Sequence, residues 1–401
     1  MRAVAVVDGE HYPPVVRDAL AELPYEFVGA VLAGGTEKLR GAVGPEDYGL
    51  PLAASLEEAI AAHRPEVVVD LSDEPVLGPR ERLGLASRAL AAGVPYVGAD
   101  FRFDPPVFEP FDLPAVSVIG TGKRVGKTAV TGRLARLLAR DRDVVVVAMG
   151  RGGPAEPEVV EVSPVLDDLL ALSRAGRHAA SDHLETAVLA GVPTVGCRRC
   201  GGGLAGAPFT STVAEGARIA ASLSPDVVVF DGSGAAIPPI ASGARILVAH
   251  DLHGGLNPYR ALISDLVLTM SDEVAAAARA LDRPVVRFDL SLRPVEPLGG
   301  RSAAVFTTGP ATLDHLDGVV FASRNLADRA GLARDLERAD AEVFVVELKA
   351  AAIDVVAEHA AERGIDVVFA VNEVVAGGLD EELLRLAEVA AGTEARENVV
   401  G

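Results

Sequence analysis

The chain has 401 residues, 49% hydrophobic and 23% charged, enough apolar material for two or three cores. Thirty-seven basic side chains against fifty-seven acidic ones leave a net charge of −20, so nucleic acid and anionic membranes are excluded as partners, while a small anion could still enter a local basic pocket. No apolar run approaches the roughly 20 residues that span a bilayer, the acids Asp8 and Glu10 interrupt the start before a signal-peptide core could form, and two cysteines make no disulfide framework, so a cytoplasmic protein is expected.

Short β-branched runs alternate with Ala/Leu/Arg helical stretches, the pattern of parallel sheets covered by helices. Strands are predicted at Val4–Val7, Val28–Leu32, Val67–Leu71 and Pro95–Val97, with helices over Val15–Leu23, Leu56–His63 and Arg80–Ala92. They make a Rossmann-like unit over 1–112, closed by FDPPVFEPFDLP, whose four prolines resist both helix and ladder pairing. A second unit, 113–297, opens with a strand Ala115–Ile119, a glycine-rich loop and a helix Thr128–Arg140. Strands follow at Val144–Met149, Val192–Val195, Val227–Asp231, Arg245–Ala249 and Leu266–Thr269. The connection RPVEPLGGR leads to a third unit, 298–401. Its expected strands are Ala303–Thr307, Gly318–Ala322, Val343–Glu347 and Val367–Val371, and its expected helices Leu326–Arg338, Ala350–Arg363 and Asp380–Ala390. No repeat at a solenoid period is present. The expected fold is α/β: a P-loop NTPase core with a parallel sheet, flanked by an N-terminal Rossmann-like domain and a C-terminal α/β unit.

Residues 115–130 read AVSVIGTGKRVGKTAV: a buried strand, a glycine-rich turn, Gly-Lys-Thr and a helix, the context of a phosphate-binding loop. The small residues Gly120, Thr121, Gly122 and Gly126 let backbone N–H groups converge on phosphate oxygens, and the helix adds its positive N-terminal end. Lys127 is expected to reach the β- and γ-phosphates and Thr128 to ligate Mg²⁺. Lys123, on the same loop, either touches phosphate or is solvated. Only four lysines occur in the chain, Lys38, Lys123, Lys127 and Lys349, and two of them lie here. The spacing departs from strict G-x-x-x-x-G-K-T, because Thr121 stands where the first glycine belongs. The form G-T-x-x-x-V-G-K-T resembles the loop of dethiobiotin synthetase and its MinD-like relatives. An apolar run ending in Asp231, then Gly-Ser-Gly, supplies an acid for the Mg²⁺ neighbourhood; the alternative is a turn acid capping the next helix.

Other strand-to-loop junctions are unusually polar. Arg151 lies among glycines in MGRGGP, His183 and Glu185 begin a helix, and Arg198 and Arg199 precede a triple glycine. His250, Asp251 and His253 follow another strand. Ligands of open α/β sheets bind beyond the carboxyl ends of strands, so these segments could converge on the P-loop. Guanidinium beside glycine backbone makes an anion cradle. In the first unit DGEHYPP follows the first strand, LAGGTEKL, with Thr36 and Lys38, either cradles an anion or simply turns the chain, and no dinucleotide fingerprint is present. Cys197 and Cys200 read as structural, since no second pair completes a zinc site.

Together VVDGEHYPPVVRDAL, LAGGTEKL, IGTGKRVGKTAV, MGRGGP, CGGGLAGAPF and FDGSGAAIPP resemble the cyclic 2,3-diphosphoglycerate synthetase family, over roughly residues 1–270. The resemblance implies ATP-dependent cyclisation of 2,3-bisphosphoglycerate to an intramolecular diphosphate, releasing ADP and phosphate. Phosphorylating one substrate phosphate creates a leaving group, and the other phosphate then closes the ring. Holding the two in line exploits an effective molarity of up to about 10⁵–10⁸ M, and Mg²⁺, lysine and arginine must neutralise the clustered charge.

Lys123, Lys127 and Asp231 are the expected catalytic residues. Gly120, Thr121, Gly122, Lys123, Gly126, Lys127 and Thr128 are expected to hold the nucleotide, and Thr128 and Asp231 the metal. The substrate is assigned to Arg151, His183, Glu185, Arg198 and Arg199. The expected cofactors are ATP and Mg²⁺, with K⁺ as an optional addition, and a homodimer is favoured. The alternatives are another ATP-dependent ligase or kinase on a small anionic acid, or a MinD-like ATPase switch.

Overall fold

A computed structural model of the chain describes residues 1–35, 37–39, 44–161, 168, 182–309, 312–348 and 352–392. Thr36 and Lys349 fall outside them. Three sheets are present among the described residues. The first runs in the order Leu52–Ala53, Glu26–Leu32, Arg2–Val7, Val67–Asp70, Tyr96–Val97 and Arg102–Phe103, parallel except for its last, antiparallel pair. The second runs Thr210–Ser211, Thr194–Cys200, Val144–Gly150, Val227–Asp231, Ala115–Gly120, Ala244–Ala249, Leu266–Thr269 and Val285–Arg287, with Glu158–Val160 also on Thr194–Cys200. The third runs Asp289–Pro294, Asp366–Val375, Val343–Glu347, Ala303–Phe306 and Val319–Ser323. Its first strand comes from upstream of the expected start at 298 and pairs antiparallel to Asp366–Val375.

The middle strands of the second sheet form because they can be buried on both faces. VVVVAMG and VVVFD are buried at every position, as parallel strands under helices must be. Alternate residues along these strands then feed two different cores, because strand side chains point to opposite faces with period two. Val116, Val118, Ile246 and Val248 join a core with Leu134 and Leu138 of the helix Lys127–Leu138 and with Val305, Val345 and Leu386 of the third unit. Ile119, Leu247 and Tyr259 join one with Val4, Ala86 and Leu90 of the first unit. The P-loop unit therefore lies between the other two and shares its apolar burial with both.

Polar contacts lock the same seams. The Arg133 guanidinium, on the helix Lys127–Leu138, donates to Asp380 (2.7 Å) and to the Val374 carbonyl (2.9 Å). Glu373 accepts from Arg293 at 2.8 Å and lies 3.9 Å from Arg136. On the other seam Arg80 meets Nδ1 of His253 at 2.9 Å, and the Arg245 guanidinium stacks 4.8 Å from the Phe108 ring centroid.

The expected helix from Ala350 begins in the described residues as a π-helical turn, Ala352–Ala357, and continues as an α-helix over Glu358–Arg363. Two helices absent from the sequence reading, Val213–Ser222 and Asp272–Ala280, cover the second sheet. No described helix is long and apolar enough to cross a membrane.

Leu134 is fully buried where the helix meets both sheets. Leu134→Ala should destabilise the chain by about 2–5 kcal/mol, read as a lower urea midpoint by circular dichroism; an unchanged midpoint would contradict the shared core.

Candidate active site

The glycine-rich loop connects the strand Ala115–Gly120 to the helix Lys127–Leu138. Gly126, at the N-cap, has φ +100°, a left-handed value that side chains other than glycine's resist. Gly120 is required for a different reason: a Cβ there would meet Lys127 Cδ at 2.8 Å and Nζ at 3.0 Å. The lysine side chain lies back along the loop, and its ammonium donates to the Gly122 carbonyl at 2.8 Å. Lys127 is only 7% exposed. A phosphate entering the loop would take over a cation that is already in place.

Beside it the strand Val227–Asp231, paired to Ala115–Gly120 and to Val144–Gly150, delivers Asp231 at its carboxyl end, 4% exposed. The Arg151 side chain follows the other neighbouring strand and reaches the same turn. A Cβ on Gly234, at φ +60°, would lie 3.0 Å from Arg151 Nη2. A cavity of about 400 Å³ opens here. Lys123, Gly126, Lys127, Thr128, Arg151, Glu185 and Asp231 all line it, so seven of the residues singled out in the sequence come together. Among the described residues its ionisable lining is five cations (Lys123, Arg124, Lys127, Arg151 and Arg329) and three carboxylates (Glu185, Asp231 and Glu347). That is a basic pocket in a chain of net charge −20.

The remaining candidates do not line the cavity. Thr121 is turned to His250, whose Nδ1 lies 2.7 Å from its hydroxyl and whose backbone N–H donates to it at 3.1 Å. Gly122 passes close to the same ring, since a Cβ there would meet His250 Cε1 at 2.9 Å. Arg198 is exposed, because the strand Thr194–Cys200 alternates and places it on the outward side. Arg199 is buried instead and donates to the carbonyls of Gly201 (2.6 Å) and Ser233 (2.8 Å), bracing the Gly-Ser-Gly turn after Asp231. His183 is buried against Gly196, where a Cβ would meet its ring at 2.5 Å. Of the residues expected to bind substrate, Arg151 and Glu185 are among the described lining of the cavity, and His183, Arg198 and Arg199 are not. Asp251 accepts the N–H groups of His253 (2.7 Å) and Gly254 (2.9 Å). Burial alone would raise its carboxyl, and those N–H groups hold it below the ordinary range.

Cys197 and Cys200 point to opposite sides of one strand, the first buried and the second exposed. Burial pushes the Cys197 thiol up to about 12. The pair therefore cannot act as a C-x-x-C unit on one face.

One wall was not anticipated. Thr308, Gly309, Leu326, Arg329, Glu347 and Asn372, all from the third unit, face the P-loop across the cavity. Thr308 follows the end of Ala303–Phe306, Glu347 ends Val343–Glu347, and Asn372 lies in Asp366–Val375. The available signal was Glu347 closing an apolar run, the same pattern that marks Asp231.

Family models match each of the three units. Those for the N-terminal, P-loop and C-terminal domains of cyclic 2,3-diphosphoglycerate synthetase match residues 2–104, 115–288 and 294–373. A protein of Rubrobacter xylanophilus with that name is 50% identical, over 97% of this chain and 98% of its own. Namesakes from Thermococcus kodakarensis and Pyrococcus horikoshii are 42% and 40% identical, over 93% and 91% of this chain and 94% and 91% of theirs. Among solved structures, LpxK from Aquifex aeolicus, in complex with ATP, aligns over 70% of this chain and 90% of that chain at 15% identity and a TM-score of 0.42. The chain belongs to the cyclic 2,3-diphosphoglycerate synthetase family and is an enzyme with a P-loop ATP-binding domain.

The thiol contrast is measurable. Brief iodoacetamide treatment of the native protein should label Cys200 alone, and labelling after denaturation should add Cys197, as read by peptide mass spectrometry. Equal native labelling of both would contradict the burial of Cys197.

Proposed function

We propose that this member of the cyclic 2,3-diphosphoglycerate synthetase family closes 2,3-bisphosphoglycerate into its cyclic diphosphate with ATP, in the cavity beyond the P-loop. The observation that carries this reading is the convergence of Lys123, Lys127, Arg151 and Asp231 on one basic pocket of an acidic protein. The substrate has two phosphates and a carboxylate, and an all-anionic molecule needs such a pocket to enter at all.

The chemistry divides into two displacements. An oxygen of one substrate phosphate attacks the γ-phosphorus of ATP; the bond from γ-phosphorus to the β–γ bridging oxygen breaks, and ADP leaves. The other substrate phosphate then attacks the inner phosphorus of the new anhydride. Inorganic phosphate departs with one oxygen from the substrate, and a P–O–P ring remains. Lys127 and Lys123 are assigned to the triphosphate and its developing charge, and Arg151 to a substrate phosphate. With ADP and the anhydride held among these cations, the intramolecular attack outpaces hydrolysis by proximity. The hydroxyl of Thr128 and the carboxylate of Asp231 are hard oxygen donors suited to Mg²⁺ shared with phosphate oxygens. Bound Mg²⁺ would supply charge neutralisation on the triphosphate.

Among the described residues no three His, Cys, Asp or Glu side chains gather into a metal cage, so Mg²⁺ would be held in company with ATP. A K⁺ requirement remains part of the proposal without a residue set to hold it. A cytoplasmic location fits chemistry on phosphorylated metabolites. A homodimer rests on the resemblance of the loop to P-loop proteins that pair across the nucleotide.

³¹P NMR of the protein with ATP, Mg²⁺ and 2,3-bisphosphoglycerate should show ADP, phosphate and a new diphosphate signal in equal amounts. ATP consumption on a different small acid, with none on this one, would move the activity to another ligase or kinase. Lys127→Ala should lower turnover at least about 100-fold with an unchanged circular dichroism spectrum; normal turnover would remove the P-loop assignment.

A further inference from the structure

Among the described residues, none of the first unit lines the cavity, and every lining residue outside the P-loop unit comes from the third. The third unit presents the carboxyl ends of its parallel strands to that cavity, the position where open α/β sheets bind ligands. Those ends are tied together by one buried carboxylate. Glu347, 3% exposed, accepts the Thr307 hydroxyl (2.7 Å), the Thr308 N–H (2.6 Å) and the Thr308 hydroxyl (2.9 Å) on one oxygen and the Asn372 side-chain amide (2.7 Å) on the other. A carboxylate this deeply buried beside an anion site is tolerated because four donors from two other strands and their loop compensate it. The same bonds fix the Thr308–Gly309 turn and Asn372 in the cavity wall. Further along the described chain, Ala352–Ala357 form a π-helical turn, a distortion that concentrates at functional sites. Arg329, the first residue of the helix Arg329–Arg338, adds the one cation of this wall among the described residues.

We infer that the third unit is the second half of the acid-binding site. Its wall seats the end of the bisphosphorylated acid remote from ATP. Arg329 pairs with an anionic group there, by the charge-assisted hydrogen bonding that guanidinium makes with carboxylate or phosphate. Glu347 is a positioning residue: it touches no substrate and acts by holding Thr308 and Asn372. The two sheets thus share the labour, the P-loop side holding the phosphoryl donor and, through Arg151, one substrate phosphate, and the third sheet the remote end of the acid. This inference rests on the functional reading above and deepens it.

The test uses the full chain with ATP, Mg²⁺ and 2,3-bisphosphoglycerate. Arg329→Gln should raise KM for the bisphosphate about tenfold or more while the affinity for a fluorescent ATP analogue stays unchanged, and Arg329→Lys should recover part of the loss. Glu347→Gln should shift KM for the bisphosphate in the same direction more than it shifts kcat. Should that variant fail to fold, the Arg329 pair carries the test alone. An unchanged bisphosphate KM in Arg329→Gln would make the third unit a buttress and overturn the inference. An equal loss of nucleotide affinity would place this wall against ATP and overturn it as well. Wild-type protein that neither binds nor converts the bisphosphate would instead bring down the functional reading, and the inference with it.

Discussion

The geometry of the site depends on the pinning of one helix, Lys127–Leu138. Its first turn carries the lysine and threonine of the P-loop, so any tilt of the helix moves both against Asp231. Leu134 and Leu138 anchor its apolar side in a core built jointly from the P-loop sheet and the third sheet. Arg133 clasps its other side to Asp380 and to a carbonyl of the strand Asp366–Val375. That strand also brings Asn372 to the cavity. The packing that orients the phosphate loop therefore also sets the distance between the two walls. A third unit docked in this way is fixed to the same helix that carries the phosphate loop.

Charge is organised on the same plan. The chain as a whole carries a net charge of −20, whereas among the described residues the cavity lining carries more cations than carboxylates. Lys127 is nearly buried, and its ammonium donates to the Gly122 carbonyl of its own loop. An exposed ion pair would gain little and be screened. A cation already folded into the loop is in place to meet an incoming phosphate. Arg199 shows the opposite use of the same side chain, spent on two carbonyls to hold the turn that follows Asp231.

The P-loop and the strands around it were legible because their signals are local: a glycine-rich turn between an apolar run and a helix, and an acid ending a valine run. Arg198 and Arg199 were ambiguous because adjacent strand residues point to opposite faces, and the sequence does not say which face meets the cavity. The helix Asp272–Ala280 was missed although Ser271 caps it and acids fill its first turn, because its alanine-rich body gives little periodic contrast. In Val213–Ser222 the glycine at 216 is imposed from outside: a Cβ there would lie 2.2 Å from Cys197 Sγ. The wall built by Thr308, Glu347 and Asn372 joins residues up to 64 positions apart and is a product of sheet order alone, which no local pattern encodes.

The central claim is that ATP activates a phosphate of the substrate before the ring closes. The most direct measurement follows oxygen. With 2,3-bisphosphoglycerate carrying ¹⁸O in its non-bridging phosphate positions, the inorganic phosphate released in ordinary water should contain one heavy oxygen per turnover, seen as an isotope shift in its ³¹P resonance. Released phosphate with no oxygen from the substrate would mean that ATP is hydrolysed apart from ring closure, and the account would be wrong.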